Sequence, residues 1–312
     1  MKIPVDSVKI VEVGARDGLQ NEKVTIPTQV KIDYITALSD AGLRSIEAGA
    51  FVSPKWVPQM ADSAEVYRNI PKDPGVDYPV LVPNMKGLDR AIEVGVKSIA
   101  IFTAASETFN KRNINMSIDE SIDNYAPLAA RAVAEGMRVR GYVSTGFGCP
   151  YEGDVPPEKV LEVVARLFDI GCYEVSVGDT IGVGTPMQVQ GVIGLLLQVI
   201  PASKLAMHFH DTRGTALANT LAALELGISI YDASAGGLGG CPYAPGASGN
   251  MATEDLVYML ERMGIDTGVD LNRLVQAAAI IAPYLDHPLP GKYLQACTRG
   301  TMPFATASMT VQ

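Results

Sequence analysis

The sequence predicts an α/β fold, a (β/α)8 TIM barrel with additional C-terminal helices, and three observations carry that reading. Short runs rich in Val, Ile and small residues alternate with longer stretches of amphipathic pattern, the signature of βα units on a parallel sheet. Glycine follows five of the helical stretches, at Gly42, Gly95, Gly136, Gly171 and Gly227, where a helix most readily ends. No linker, low-complexity tract or charge block divides the 312 residues, and such barrels use about 250 residues as one domain.

In chain order, strands are expected at residues 9–13, 45–48, 79–82, 98–102, 138–143, 174–177, 204–209 and 230–233. The intervening helices are expected at 28–41, 60–69, 86–94, 118–135, 157–170, 187–200 and 215–226. Two more follow the eighth strand, at 253–264 and 271–284, ahead of a tail broken by Pro and Gly. One barrel domain with its C-terminal helices then occupies 1–285. The tail, 286–312, forms no domain of its own and either caps the barrel or crosses to a partner subunit.

Composition narrows the function. Hydrophobic residues make up 47% and charged residues 19%, which suits a globular chain with a large core. A net charge of -9 leaves no general basic surface, so neither nucleic acid nor a membrane is an expected partner. Residues 1–20 carry Asp6, Glu12 and Asp17 and match neither a secretory signal nor a transit peptide. The longest apolar run, 191–200, is too short to span a bilayer. Four cysteines without paired spacing point to reduced thiols and a cytoplasmic setting.

The stretch from Gly236 to Asn250, GGLGGCPYAPGASGN, reads as a working loop, since its six glycines let backbone approach a ligand closely. Other candidate polar residues gather at the carboxyl ends of predicted strands: Arg16 and Asp17, Glu47, Asp179, then His208 and His210. A parallel barrel carries its reaction site at that face. Two residues apart on a strand, His208 and His210 point the same way and can share one metal ion. With Asp17 and Asn250 as oxygen ligands, the set suits Mg²⁺ or Mn²⁺ with open positions for substrate. Asp211 points away and serves a turn or a supporting role, and His287 in the tail reads as structural. Asp179 is either a turn carboxylate or a catalytic one. Cys241, inside the glycine loop, reads as reactive, whereas Cys149 and Cys172 read as packing thiols and Cys297 is undecided. Neither a dinucleotide or P-loop motif nor a nucleophile elbow is present.

Through VEVGARDGLQNEK, FVSPKWVPQMAD, GDTIGVGTP, HFHDTRGTALANT and GGLGGCPYAPGASGN, residues 8–285 resemble the 3-hydroxy-3-methylglutaryl-CoA lyase family of metal-dependent lyases. The cysteine-bearing loop sets that branch apart from synthases sharing the barrel and the H-x-H site. The resemblance implies that Asp17, His208, His210 and Asn250 bind a divalent cation, that Arg16 faces the thioester carbonyl, and that Glu47, Asp179 and Cys241 complete the catalytic set. It implies an acyl-CoA substrate cleaved to acetyl-CoA and acetoacetate, and a homo-oligomer, dimer or tetramer. The hydroxyl base is left open between groups such as Asp17 and His208, and Cys241 is the expected proton donor to the enolate carbon.

Gly49, Ala50, Met116, Thr145 and Arg213 depart from the family pattern and are expected near the pocket. They make citramalyl-CoA or a longer 3-hydroxy-3-alkylglutaryl-CoA the alternative substrate. A Claisen-type acyl-CoA synthase and a non-catalytic CoA-binding barrel are the weaker alternatives. Lys23, Lys55, Lys111 and Arg112 are candidate phosphate contacts.

Overall fold

The computed structural model describes residues 3–240 and 249–298. Eight parallel strands form one sheet: β1 (Lys9–Glu12), β2 (Gly49–Ala50), β3 (Val80–Leu81), β4 (Ser98–Ala104), β5 (Arg138–Ser144), β6 (Glu174–Asp179), β7 (Leu205–Phe209) and β8 (Ile230–Ala233). β1 pairs with β8, Lys9 opposite Ile230. On its other side Glu12 N donates to Ser45 O at 2.9 Å and Glu47 N to Glu12 O at 2.8 Å, which closes the barrel. The predicted fold class holds.

The expected second strand, 45–48, differs in detail. Its residues pair alternately with both neighbours, through Glu12–Ile46 and Ser45–Asp77, before the continuous ladder begins at Gly49. That alternation is the price of bridging two strands at the seam.

Around the sheet lie α1 (Thr28–Asp40), α2 (Ser63–Asn69), α3 (Met85–Glu93), α4 (Glu107–Ile114), α5 (Ile118–Ala134), α6 (Pro157–Asp169), α7 (Pro186–Leu196) and α8 (Ala216–Glu225). Then follow α9 (Thr253–Arg262), α10 (Leu271–Ile281) and α11 (Lys292–Thr298). At α3, α4, α5, α7 and α10 the start is set by a side chain that accepts from a free backbone N–H group. Ser117 and Glu120 form a capping box for α5, and Thr185 with Gln188 does the same for α7. All five glycines expected to end helices sit at positive φ. Two helices were not expected. α4 is mostly polar and lacks an apolar stripe; Ser106 Oγ, accepting from Phe109 N at 3.1 Å, starts it. α11 lies in the tail expected to be broken, where the Asp255 carboxylate accepts from Lys292 N and Tyr293 N.

The alternation of strand side chains sorts residues between two buried layers. Val11, Val13, Ala206 and Ile230 form a small apolar cluster apart from the main core. Arg140, Glu174, Ser176 and Asp232 are joined by hydrogen bonds across β5, β6 and β8, an interior column of charge. Glu12, one residue out of step with Val11 and Val13, belongs to the other layer, with Tyr34 of α1 and Thr253 of α9. No helix among the described residues is long and apolar enough to cross a membrane.

Candidate active site

The first βα connection opens with a single π turn, Gly14–Gly18, that carries Arg16 and Asp17 off the end of β1. Gly14 is required there: a Cβ would come 2.5 Å from Glu12 Oε1 and 2.6 Å from the Tyr34 hydroxyl. His208 lies in β7 and His210 one residue beyond its end. Beyond β7 the chain turns antiparallel to 249–251, with Asp211 N donating to Gly249 O at 2.8 Å and Met251 N to Phe209 O at 3.0 Å. That ladder sets Asn250 beside His210.

These segments bring four of the expected residues together. His208 Nε2 and His210 Nε2 face each other at 3.1 Å. One ligand atom each from Asp17, His208 and His210 lies within 4.8 Å of the other two. Asn250 Nδ2 donates to Asp17 Oδ2 at 2.9 Å, while Asn250 Oδ1 is buried with no hydrogen-bond partner. Arg16 links the cluster to Glu47: its Nη1 donates to Asp17 Oδ1 and its Nε to Glu47 Oε2, both at 2.6 Å. Glu47 is wholly buried behind Arg16. Tyr142 Oη donates to Glu47 Oε1 at 3.2 Å, and the Arg16 guanidinium lies 5.7 Å from the Tyr142 ring centroid.

The charges follow from these contacts. Burial alone would raise the Asp17 carboxyl, but Arg16, the two histidines and Asn250 outweigh it and bring it down to about 2. His210, buried and beside His208, is pushed down to about 3, so its imidazole is neutral with a lone pair to give. His208 is raised: burial opposes its charge, but Asp232 overrides that. Burial raises Glu47, against the pull of Arg16.

A pocket of about 300 Å³ opens at this rim, its lining including the polar Arg16, Asp17, Tyr142, Ser176, His208 and His210 and the apolar Leu81, Phe102 and Phe109. Gly240 also lines it, and Asn21 Nδ2 donates to Gly240 O at 3.2 Å. Cys241 lies outside the described residues. Asp179 is not brought to the pocket wall; its two oxygens accept from Val183 N at 2.9 Å and Gly184 N at 2.8 Å, fixing the turn after β6. Asp211 accepts from Ala216 N at the start of α8, the turn role expected of it. His287 contacts Glu22, a structural link between tail and barrel.

The departures expected near the pocket form no part of its described wall, although Thr145 N donates to Oγ1 of the lining residue Thr180 at 2.8 Å. Gly49, Ala50, Met116, Thr145 and Arg213 are not among its lining residues. The Ser63 hydroxyl fills the space that a Cβ on Gly49 would enter, at 2.7 Å. Arg213 Nη1 donates to the carbonyls of Ile181 and Gly182, tying down the turn after β6. Conversely, sequence reasoning passed over Tyr142, Ser176 and Asp232. The usable signal was a charged or hydroxylated residue on the inward register of an otherwise apolar strand.

Fold and site together define a (β/α)8 barrel with a two-histidine, one-carboxylate centre at its carboxyl rim. Residues 7–281 match the model of the HMGL-like family, and the chain belongs to that family. It is 58% identical over 289 residues to the mitochondrial hydroxymethylglutaryl-CoA lyase of Bos taurus, covering 93% of this chain and 89% of that one. It is 54% identical to the cytoplasmic 3-hydroxy-3-methylglutaryl-CoA lyase of Rattus norvegicus, covering 93% of this chain and 84% of the other. The crystal structure of hydroxymethylglutaryl-CoA lyase from Pseudomonas aeruginosa superposes with a TM-score of 0.93 at 50% identity, over 95% of this chain and 99% of that one. Membership implies a divalent cation. The residues fit one, because a neutral imidazole, a second imidazole 3.1 Å from it, an ionised carboxylate and an unpartnered amide oxygen are gathered at one point.

Proposed function

We propose that the protein is a divalent-metal lyase that splits 3-hydroxy-3-methylglutaryl-CoA into acetyl-CoA and acetoacetate, with Mg²⁺ or Mn²⁺ held by Asp17, His208, His210 and Asn250. The single observation that carries this reading is the pair of facing Nε2 atoms, 3.1 Å apart, beside Asp17 in the rim pocket. When bound, the cation makes the substrate hydroxyl more acidic. Asp17 or His208 accepts the hydroxyl proton. As the C2–C3 bond breaks, the hydroxyl carbon becomes the ketone of acetoacetate and the bonding pair passes to the acetyl-CoA enolate. Arg16, aimed by Glu47 and Asp17, offsets the charge on the enolate oxygen. Cys241 protonates the enolate carbon, and Asp179 supports the site by holding the turn after β6. The whole rests on one barrel domain over 1–285, against which residues 286–298 pack through His287 and α11, in a cytoplasmic homo-oligomer, a dimer or tetramer.

Because the departing positions do not line the pocket, no feature among the described residues favours a longer acyl branch. The experiment is to strip the protein with chelator, restore Mg²⁺ or Mn²⁺, and follow acetyl-CoA release from 3-hydroxy-3-methylglutaryl-CoA and citramalyl-CoA. Turnover of the first should vanish on stripping and return with either metal. Undiminished turnover by metal-free protein, or faster cleavage of citramalyl-CoA, contradicts the reading.

A further inference from the structure

His208 and His210 present Nε2 to each other, yet their far nitrogens differ. His210 Nδ1 is buried without a hydrogen-bond partner. His208 Nδ1 lies 3.2 Å from Asp232 Oδ2. An ionised carboxylate can only accept, so the nitrogen facing it must carry the proton, and the lone pair of His208 is left on Nε2. Asp232 is itself fixed from two further sides: Arg140 Nη2 donates to its Oδ1 and Ser176 Oγ to its Oδ2, each at 2.7 Å. Arg140 in turn is held by Glu174 through Nε at 2.6 Å, and Glu174 by Lys9 at 2.9 Å. This column runs from Lys9 at the start of β1 to His208, through residues that are buried apart from Lys9.

We infer that Asp232, held by Arg140, is a positioning residue that locks the tautomer and ring plane of His208 and so presents Nε2 to the cation. The inference rests on the cation site of the proposed function. Asp232 acts through His208 alone, and His210 has no such support among the described residues. Carboxylates in this position raise metal affinity by about 10- to 100-fold.

The test uses Asp232→Asn and, because a stranded Arg140 could unfold the single variant, also the double variant Arg140→Gln/Asp232→Asn. The double variant removes one charge of each sign and leaves Glu174 its bond to Lys9. Two readouts are taken on the full chain: Mn²⁺ affinity by electron paramagnetic resonance, and the ¹⁵N spectrum of the chain's three histidines, metal-free at pH 8. In the wild type, His208 should show the Nδ1–H tautomer. Both variants should bind Mn²⁺ about 10- to 100-fold more weakly and show a mixed or reversed tautomer, since an amide can face the ring with either its oxygen or its nitrogen. Affinity within about twofold of wild type, with the tautomer unchanged, overturns the inference. If the wild-type chain takes up no Mn²⁺, the cation site falls, and the histidine spectra still decide whether Asp232 sets the ring.

Discussion

Two groups of buried acids flank the rim, and they are built on opposite plans. Inside the barrel, Glu174 and Asp232 are joined by Arg140, with Lys9 beyond. Between the sheet and the helices, Glu12 and Glu254 are just as buried, but among the described residues no lysine or arginine is paired with either. Backbone and hydroxyl donors serve them instead. Glu12 accepts from Gly14 N at 2.8 Å, Ala235 N at 2.9 Å and Thr253 Oγ1 at 2.6 Å, while Glu254 accepts from Gly236 N at 2.8 Å. The difference teaches what each group is for. A paired column holds a fixed charge beside His208; the unpaired acids stitch the Arg16–Asp17 turn to the root of the glycine loop and can do so uncharged.

The titration behaviour should differ accordingly. Asp232 is held well below the usual carboxylate range by Arg140 and His208, against the cost of its burial. Burial pushes Glu12 up to about 7 and Glu254 up to about 8, their hydrogen bonds only partly opposing it.

The largest effect is expected from Arg140→Met, which leaves Asp232 without its cation. Removing one partner of a buried ion pair costs about 3–5 kcal/mol, and urea denaturation should show that loss at both pH 5 and pH 8. A loss below about 1 kcal/mol would mean that the column is not a fixed-charge unit.

A smaller effect, opposite in sign at high pH, is expected from Glu254→Gln. The folded chain keeps this acid protonated up to about 8, whereas the unfolded chain ionises near 4.5. Its contribution is therefore complete below pH 4.5 and is lost progressively as pH rises toward 8. Gln keeps the acceptor and cannot ionise. The variant should match wild type near pH 5 and exceed it by about 1–3 kcal/mol at pH 8, flattening the pH dependence of stability. Equal slopes for the two proteins would place the carboxylate in an ionised state and erase the contrast between the groups.

Much of this was legible in the chain. Eight apolar runs, glycine at helix ends and polar residues at strand ends led to the barrel and to Arg16, Asp17, Glu47, His208 and His210, and the glycine-rich loop led to Asn250, because each obeys a local rule of spacing, register or composition. Asp232 and Arg140 obey no such rule: they are 92 residues apart, and only barrel closure makes them partners. Helix α4 was hidden because its capping serine, not an apolar face, starts it. Arg213 and Gly49 misled for the related reason that nearness in sequence to site residues says little about which way a side chain faces. Arg213 is spent on two backbone carbonyls, and the space beside Gly49 belongs to Ser63.

The central claim is that one cation sits among Asp17, His208, His210 and Asn250. Crystals of the protein soaked with Mn²⁺ and measured at the manganese absorption edge test it directly. The account predicts a single strong anomalous peak about 2.0–2.3 Å from His208 Nε2, His210 Nε2 and an Asp17 oxygen. A map without density there, or with its main peak at the second acid–histidine cluster of Glu22, Asp286 and His287, would contradict it.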